Sequence, residues 1–291
     1  MSASAPRNNV IGGAWLIADM SLNIWALAIV KWLGAEYTAP QIVFVRAVTG
    51  FLLLFPIIVL QRDAFRKIDH LNLHLLRVGL SVVTLTASFF AISRVPLAVF
   101  TTMNFTRPIV TMVMAALILK EAIGPRRWAA AAIALVGVLI AANPQHVPWT
   151  SGLAALVLVV ITGSAAIIAT RKLREAPPIV LMTFYTAGLA ICTAPFAVIT
   201  WIPVVSEHLL SLLLIGAFSQ IAQLSFLRAH YHGEAGFLSV IGYTSLVLSV
   251  TVGFLVFEEI PSTAFAIGAT LVICAAVWVA LRPGSENTER S

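Results

Sequence analysis

Charge is what this sequence most lacks. Asp, Glu, Lys and Arg make up 10% of the chain, against roughly a quarter in an ordinary soluble domain. With 60% of its 291 residues hydrophobic and a mean hydropathy of +0.98, it cannot cover a core of this size with polar surface. The chain reads as an integral membrane protein. Cysteine is almost absent too. Cys192 and Cys274 lie far apart in apolar runs, without the spacing of a metal site or redox pair, and are expected to be buried apolar residues. The six histidines are scattered, and the one close pair, His230 and His232, has no further ligand at metal spacing. No metal or cofactor is expected. HExxH, GxSxG and Walker patterns are missing, which argues against intramembrane hydrolysis and against ATP as a partner. The basic balance, +6 with a pI near 9.8, does not imply nucleic acid, because the basic residues sit in short loops between apolar runs.

What is abundant is long apolar sequence. About 20 apolar residues span a bilayer as a helix. Runs between polar or Pro/Gly breaks predict ten spans, at roughly 10–32, 39–60, 71–93, 96–119, 126–142, 152–170, 178–201, 208–228, 235–257 and 263–281. The first is too long for the apolar part of a cleavable signal. Arg62, Arg66, Lys67, Lys120, Arg126, Arg127, Arg171, Lys172, Arg174 and Arg228 fall in alternate loops, while the other loops hold only Lys31 and Arg94. Cytoplasmic loops carry the basic excess, so both termini are expected in the cytoplasm.

The chain also repeats itself. APQIV at 39–43 returns as APPIV at 176–180, an offset of 137, and Gly79, Ser88 and Phe89 recur at that offset as Gly216, Ser225 and Phe226. Glu121 returns near the same spacing as Glu259. The two units are expected at 1–145 and 146–291. Five spans per unit is odd, so the second must insert upside down. Inverted repeats of this kind accompany alternating-access carriers with a site near midplane.

The run Pro108 to Leu119 followed by Lys120 and Glu121, its echo from Leu246 to Glu259, and Gly137 in LVGVLIAANP resemble the drug/metabolite transporter superfamily, and within it the EamA-type exporters. The second copy departs by placing Leu246 where the proline would be. The resemblance implies an all-α, basket-like membrane fold of two inverted five-helix repeats, with a central cavity lined by spans 1, 3, 4, 6, 8 and 9. It implies a multi-pass protein of a bacterial inner membrane; the sequence leaves the oligomeric state open, a monomer being compatible with it. It also implies export of small molecules. Broad-range, aromatic-type amino-acid exporters are the nearest match, with drugs or other small amphipathic metabolites as the alternative cargo.

Polar residues inside apolar runs mark the candidate site. An ionisable group at bilayer depth is costly and is usually retained for a task. Trp15, Asp19 and Asn23 follow at i, i+4 and i+8 on one helix face. Asp19 would attract a substrate ammonium, carry a proton, or pair with Arg46 or Arg107. Rise arithmetic puts Asp19 and Arg107 within about 5 Å in depth. In MNFTRPIVTM, Thr101, Asn104, Phe105 and Arg107 surround Pro108; a proline there removes a donor and loosens the helix, giving a polar cavity wall with a hinge. Arg107 could grip an acid group on the ligand. Arg77, nearer the cytoplasmic end, is expected to snorkel. Gln220 and Gln223, with Tyr243 and Ser245 on the next span, complete the candidate lining. No single stretch gathers several Lys or Arg into one wall, which argues against nucleotide-linked cargo.

Overall fold

The computed structural model describes residues 9–66, 68–118, 125–142, 150–173, 176–232, 241 and 244–280. Its long elements are α1 (Asn9–Leu33), α2 (Ala39–Leu60), α3 (Leu71–Ile92), α4 (Leu97–Asn104), α5 (Arg107–Ile118), α6 (Pro125–Ala142), α7 (Ser151–Lys172), α8 (Pro178–Ile199), α9 (Ser206–His232), α10 (Thr244–Phe257) and α11 (Thr263–Ala280). No strand occurs among the described residues. Each predicted span contains one of these helices or, for the fourth, a pair. Six are long and apolar enough to cross a membrane: α1, α2, α3, α7, α8 and α9; α6, α10 and α11 contain shorter apolar stretches.

Local chemistry explains the ends. Pro40 and Pro178 stand in the first turns of α2 and α8, where a missing N–H costs nothing. The Thr150 hydroxyl accepts the Leu153 amide at 3.3 Å and caps α7. The fourth span breaks just where Pro108 acts. α4 ends at Asn104, Phe105 and Thr106 form a tight turn, and α5 starts at Arg107. Proline disfavours helical geometry in the preceding residue and crowds the carbonyl four residues back, here Asn104. At the second position of α5 it needs no donor.

The main helix pairs all join the first six helices to the last five. α1 packs on α9 and α3 on α7; α2 on α9 and α3 on α8; α5 on α7 and α1 on α10; α2 on α8, α4 on α10 and α6 on α11. Exchanging α1, α2, α3, α4–α5 and α6 for α7, α8, α9, α10 and α11 returns the same set of pairs. In the α6–α11 pair Gly137 faces the Gly268 carbonyl so closely that a Cβ at 137 would overlap it, the small-residue contact that lets membrane helices approach.

The core is concentrated at one end of the bundle. Val30, Leu33, Tyr37, Ile92, Val95, Leu97, Phe100, Leu153, Leu156 and Ile215 form one buried cluster where α1 and α3 end and where α4 and α7 begin. The outer faces are apolar: Leu52, Phe55, Leu60, Ile191, Phe196, Ile199 and Leu255 are all exposed. Exposed apolar surface on this scale fits a bilayer, not water. Cys192 and Cys274, expected to be buried, are exposed among these outward faces; periodicity does not separate a lipid-facing side from a buried one when both are apolar. Trp25 is likewise exposed.

Candidate functional site

A cavity of about 580 Å³ opens among α1, α2, α3, α5, α7, α8 and α9. Among the described residues its charged lining is Asp19, Arg46, Arg77 and Arg107. Each lies on a different helix of the first half, and each is held by neutral groups. The Asn23 amide donates to the Asp19 carboxylate at 2.8 Å and to its backbone carbonyl at 3.1 Å, one turn apart on α1. Arg46 Nε donates to Ser219 Oγ at 2.9 Å. Arg77 donates from Nε to Thr170 Oγ1 at 2.7 Å and from a terminal nitrogen to the Leu181 carbonyl at 3.0 Å.

Arg107 starts α5 and turns its guanidinium flat against α7 at Gly163, where a Cβ would overlap it. The Ser164 hydroxyl donates to the Arg107 carbonyl at 3.2 Å. Among the described residues the Arg107 side chain makes one long contact, to Asn104 Oδ1 at 3.5 Å, and its buried Nε has no acceptor. Gln220 Nε2 is a second buried donor without a partner. Tyr185 lies between two of the cations, its ring centre 5.9 Å from the Arg46 guanidinium carbon and 5.7 Å from that of Arg77, within cation–π range.

Asp19 is 8% exposed, yet among the described residues no ion pair joins it to any arginine; the ion pairs are Lys31–Glu259 and Arg66–Asp63. The cavity therefore holds one carboxylate and three guanidiniums without direct neutralisation.

Of the residues singled out in the sequence, Asp19, Asn23, Arg107, Gln220 and Gln223 line this cavity. Trp15, Thr101, Asn104, Phe105 and Ser245 are not part of its lining. Spacing of i, i+4, i+8 drifts about 40° per step around a helix of 3.6 residues per turn, so Trp15 departs from the face of Asn23, and it is 40% exposed. Asn104 touches the site through Arg107. Phe105 packs beside Phe265 and Ala269 of α11. Tyr243 lies outside the described residues, as does Glu121. Arg77, expected to snorkel, instead reaches across to α7 and α8. Tyr185, Thr170 and Thr186 were not anticipated: an aromatic or a threonine in an apolar helix gives no signal. Helices α2 and α8 line the cavity, which the implied spans 1, 3, 4, 6, 8 and 9 leave out.

The two ends of the bundle differ. The cavity runs to Arg77, Thr170, Pro178 and Phe226, at the helix ends next to Arg62, Arg66, Arg171, Lys172 and Arg228. At the other end the buried cluster closes the path, bound by polar links. Lys31 Nζ meets Glu259 Oε1 at 2.9 Å and the Val95 carbonyl at 2.5 Å, and Glu259 Oε2 accepts the Leu97 amide at 2.9 Å. Tyr37 bonds His208 at 2.9 Å, and Gln41 exchanges two bonds with Ile202 at 2.7 and 3.0 Å. Glu259 thereby ties α1, α4 and the end of α10 together.

Two stretches, residues 14–143 and 149–281, each match the model of a family described as the EamA-like transporter family. An S-adenosylmethionine uptake transporter of Rickettsia bellii is 23% identical over 270 residues, covering 92% of this chain and 93% of that one. A riboflavin transporter of Rhizobium johnstonii is 29% identical over 295 residues, covering 95% and 93%. A pseudopaline exporter, CntI, of Pseudomonas aeruginosa is 26% identical over 257 residues, covering 86% and 89%. One solved crystal structure superposes with a TM-score of 0.69 at 16% identity, covering 94% of this chain and 98% of that one; that likeness speaks to the fold.

Proposed function

This chain belongs to the EamA-like transporter family and is a secondary membrane transporter rather than an enzyme; from that premise we propose that it carries small amphipathic metabolites across a bacterial inner membrane by alternating access. One observation carries the reading: a charged cavity between two similarly packed halves reaches one end of the bundle and is sealed at the other. A channel needs a continuous path, and this one is closed by Leu33, Ile92, Val95 and Leu97.

The set of helix pairs that survives exchange of the halves, together with the two family matches, supports ten spans arranged as two inverted repeats. The basic loops assign the cavity mouth to the cytoplasm, so this conformation loads from inside, with Pro108 at the break between α4 and α5 as the hinge. Export is the direction that mouth favours, although gradients, not the open side, set net flux in an alternating carrier. The relatives named above are named for S-adenosylmethionine, riboflavin and pseudopaline, none of them an ordinary amino acid. Metabolite transport thus takes precedence over amino-acid export, for which Asp19 and the arginines supply both signs.

The test is exchange across proteoliposomes containing the full chain, loaded with a labelled whole-cell metabolite extract. Saturable release of one or a few compounds is expected, slowed when Pro108→Ala stiffens the hinge. Folded protein that moves nothing above empty liposomes would sink the carrier reading.

A further inference from the structure

We propose that the cavity is built for an organic dianion, a metabolite bearing two carboxylates or one phosphate monoester, rather than for a zwitterion. This rests on the carrier reading above and narrows its substrate.

The argument starts from charge. Arg46, Arg77 and Arg107 face one cavity with Asp19, a formal excess of two positive charges. Guanidiniums at bilayer depth are retained where they face partners or a cavity. Here no carboxylate lies within ion-pair distance of any of the three among the described residues. Their bonds go to two hydroxyls, one carbonyl and one amide oxygen. A zwitterion would leave the excess untouched, whereas a dianion cancels it.

Geometry points the same way. Arg46 and Arg77 reach Tyr185 from α2 and α3, so two cations converge on one ring. Arg107 Nε and Gln220 Nε2, both on residues of the cavity wall, are buried donors without an acceptor among the described residues. Carboxylate or phosphate suits the fork of a guanidinium. A volume of about 580 Å³ accommodates a molecule of metabolite size. The expectation that no basic wall exists is therefore corrected: three helices assemble one from arginines far apart in sequence.

Asp19 decides between the readings. In a zwitterion site it is the ammonium partner, and neutralising it weakens binding. In a dianion site it is a like charge, and neutralising it strengthens binding. The experiment measures binding of succinate, glycerol 3-phosphate, phenylalanine and riboflavin to the purified full chain in detergent. Wild type, Asp19→Asn, Arg77→Gln and Arg107→Gln are compared at low salt, and wild type is also measured at high salt. Succinate or glycerol 3-phosphate is expected to bind most tightly, with affinity falling as salt rises. Each arginine variant should weaken that binding about tenfold or more, and Asp19→Asn should tighten it. Which of the two binds better separates dicarboxylate from phosphate.

Weaker binding of both dianions than of phenylalanine or riboflavin, or loss of dianion binding in Asp19→Asn, would overturn the inference. The salt series uses wild type alone, so a misfolded arginine variant does not spoil the test. If labelled phenylalanine or riboflavin crosses proteoliposomes while the dianions do not, the carrier reading stands and the dianion inference falls. If dianions bind but nothing crosses, the reverse holds.

Discussion

The two halves of this protein pack alike and differ in chemistry. The helix pairs survive exchange of one half for the other, yet Asp19, Arg46, Arg77 and Arg107 all belong to the first. The second half answers with neutral groups: Thr170, the Leu181 carbonyl, Tyr185, Ser219, Gln220 and Gln223. Its apolar segments contain no charged residue apart from Arg228 at the end of one. Symmetry is thus kept where motion needs it, in the interfaces, and abandoned where recognition needs it, in the cavity. On the reading proposed above such a carrier has one site, and among the described residues the first half supplies its charge.

The hardest blow to this division is Arg77→Gln combined with Arg107→Gln. Two charge-assisted contacts at about 1.5–3 kcal/mol each predict at least a hundredfold loss of flux, measured in proteoliposomes. The companion variant Arg46→Ser with Ser219→Arg moves a guanidinium across the same hydrogen bond to the second half. Flux no higher than in Arg46→Ser alone is expected; full recovery would mean that ownership of the charge is immaterial. Next in size is Gly163→Leu, which leaves every charge in place but fills the ground beneath the Arg107 guanidinium. About a tenfold loss is expected, with unchanged thermal stability as the check that the fold persists.

Glu259→Gln acts on the sealed end. It removes the charge that pairs with Lys31, leaving neutral partners and the Phe257 ring, and shifts the population toward opening there. In a chain lacking Cys192 and Cys274, alkylation of Val95→Cys by a membrane-impermeant maleimide should speed up several-fold. The smallest effect belongs to Thr170→Val, which deletes one neutral acceptor from Arg77. It should cost about 1 kcal/mol, a fewfold rise in KM, and a larger loss would show that the second half contributes more than support.

Hydropathy located most of the described helices to within a few residues, because a bilayer demands about 20 apolar residues and punishes anything else. The break before Pro108 was legible for the same reason: a proline in an apolar run has few structural outcomes. Asp19, Asn23, Arg107, Gln220 and Gln223 stood out as polar residues in apolar surroundings. The meeting of Arg46 and Arg77 around Tyr185 could not be read this way. It depends on how α2, α3 and α8 cross, and nothing in any one segment encodes that crossing. Trp15, Thr101 and Ser245 show the opposite limit, since a polar or aromatic face tells that a side is special but not which neighbour it meets.

The bonds of Arg46 and Arg77 carry a consequence for how the protein is made. Arg46 is held by Ser219, and Arg77 by Thr170 and Leu181. All of these emerge from the ribosome after α2 and α3 have already been handed to the membrane. During that interval two guanidiniums sit in nascent segments whose acceptors do not yet exist, each at a cost of about 2.5–3.5 kcal/mol on insertion scales. The first half is therefore dependent on the second for its own residence in the bilayer. Expressed alone it should be cleared by quality control, and supplying the missing half as a separate chain should rescue it.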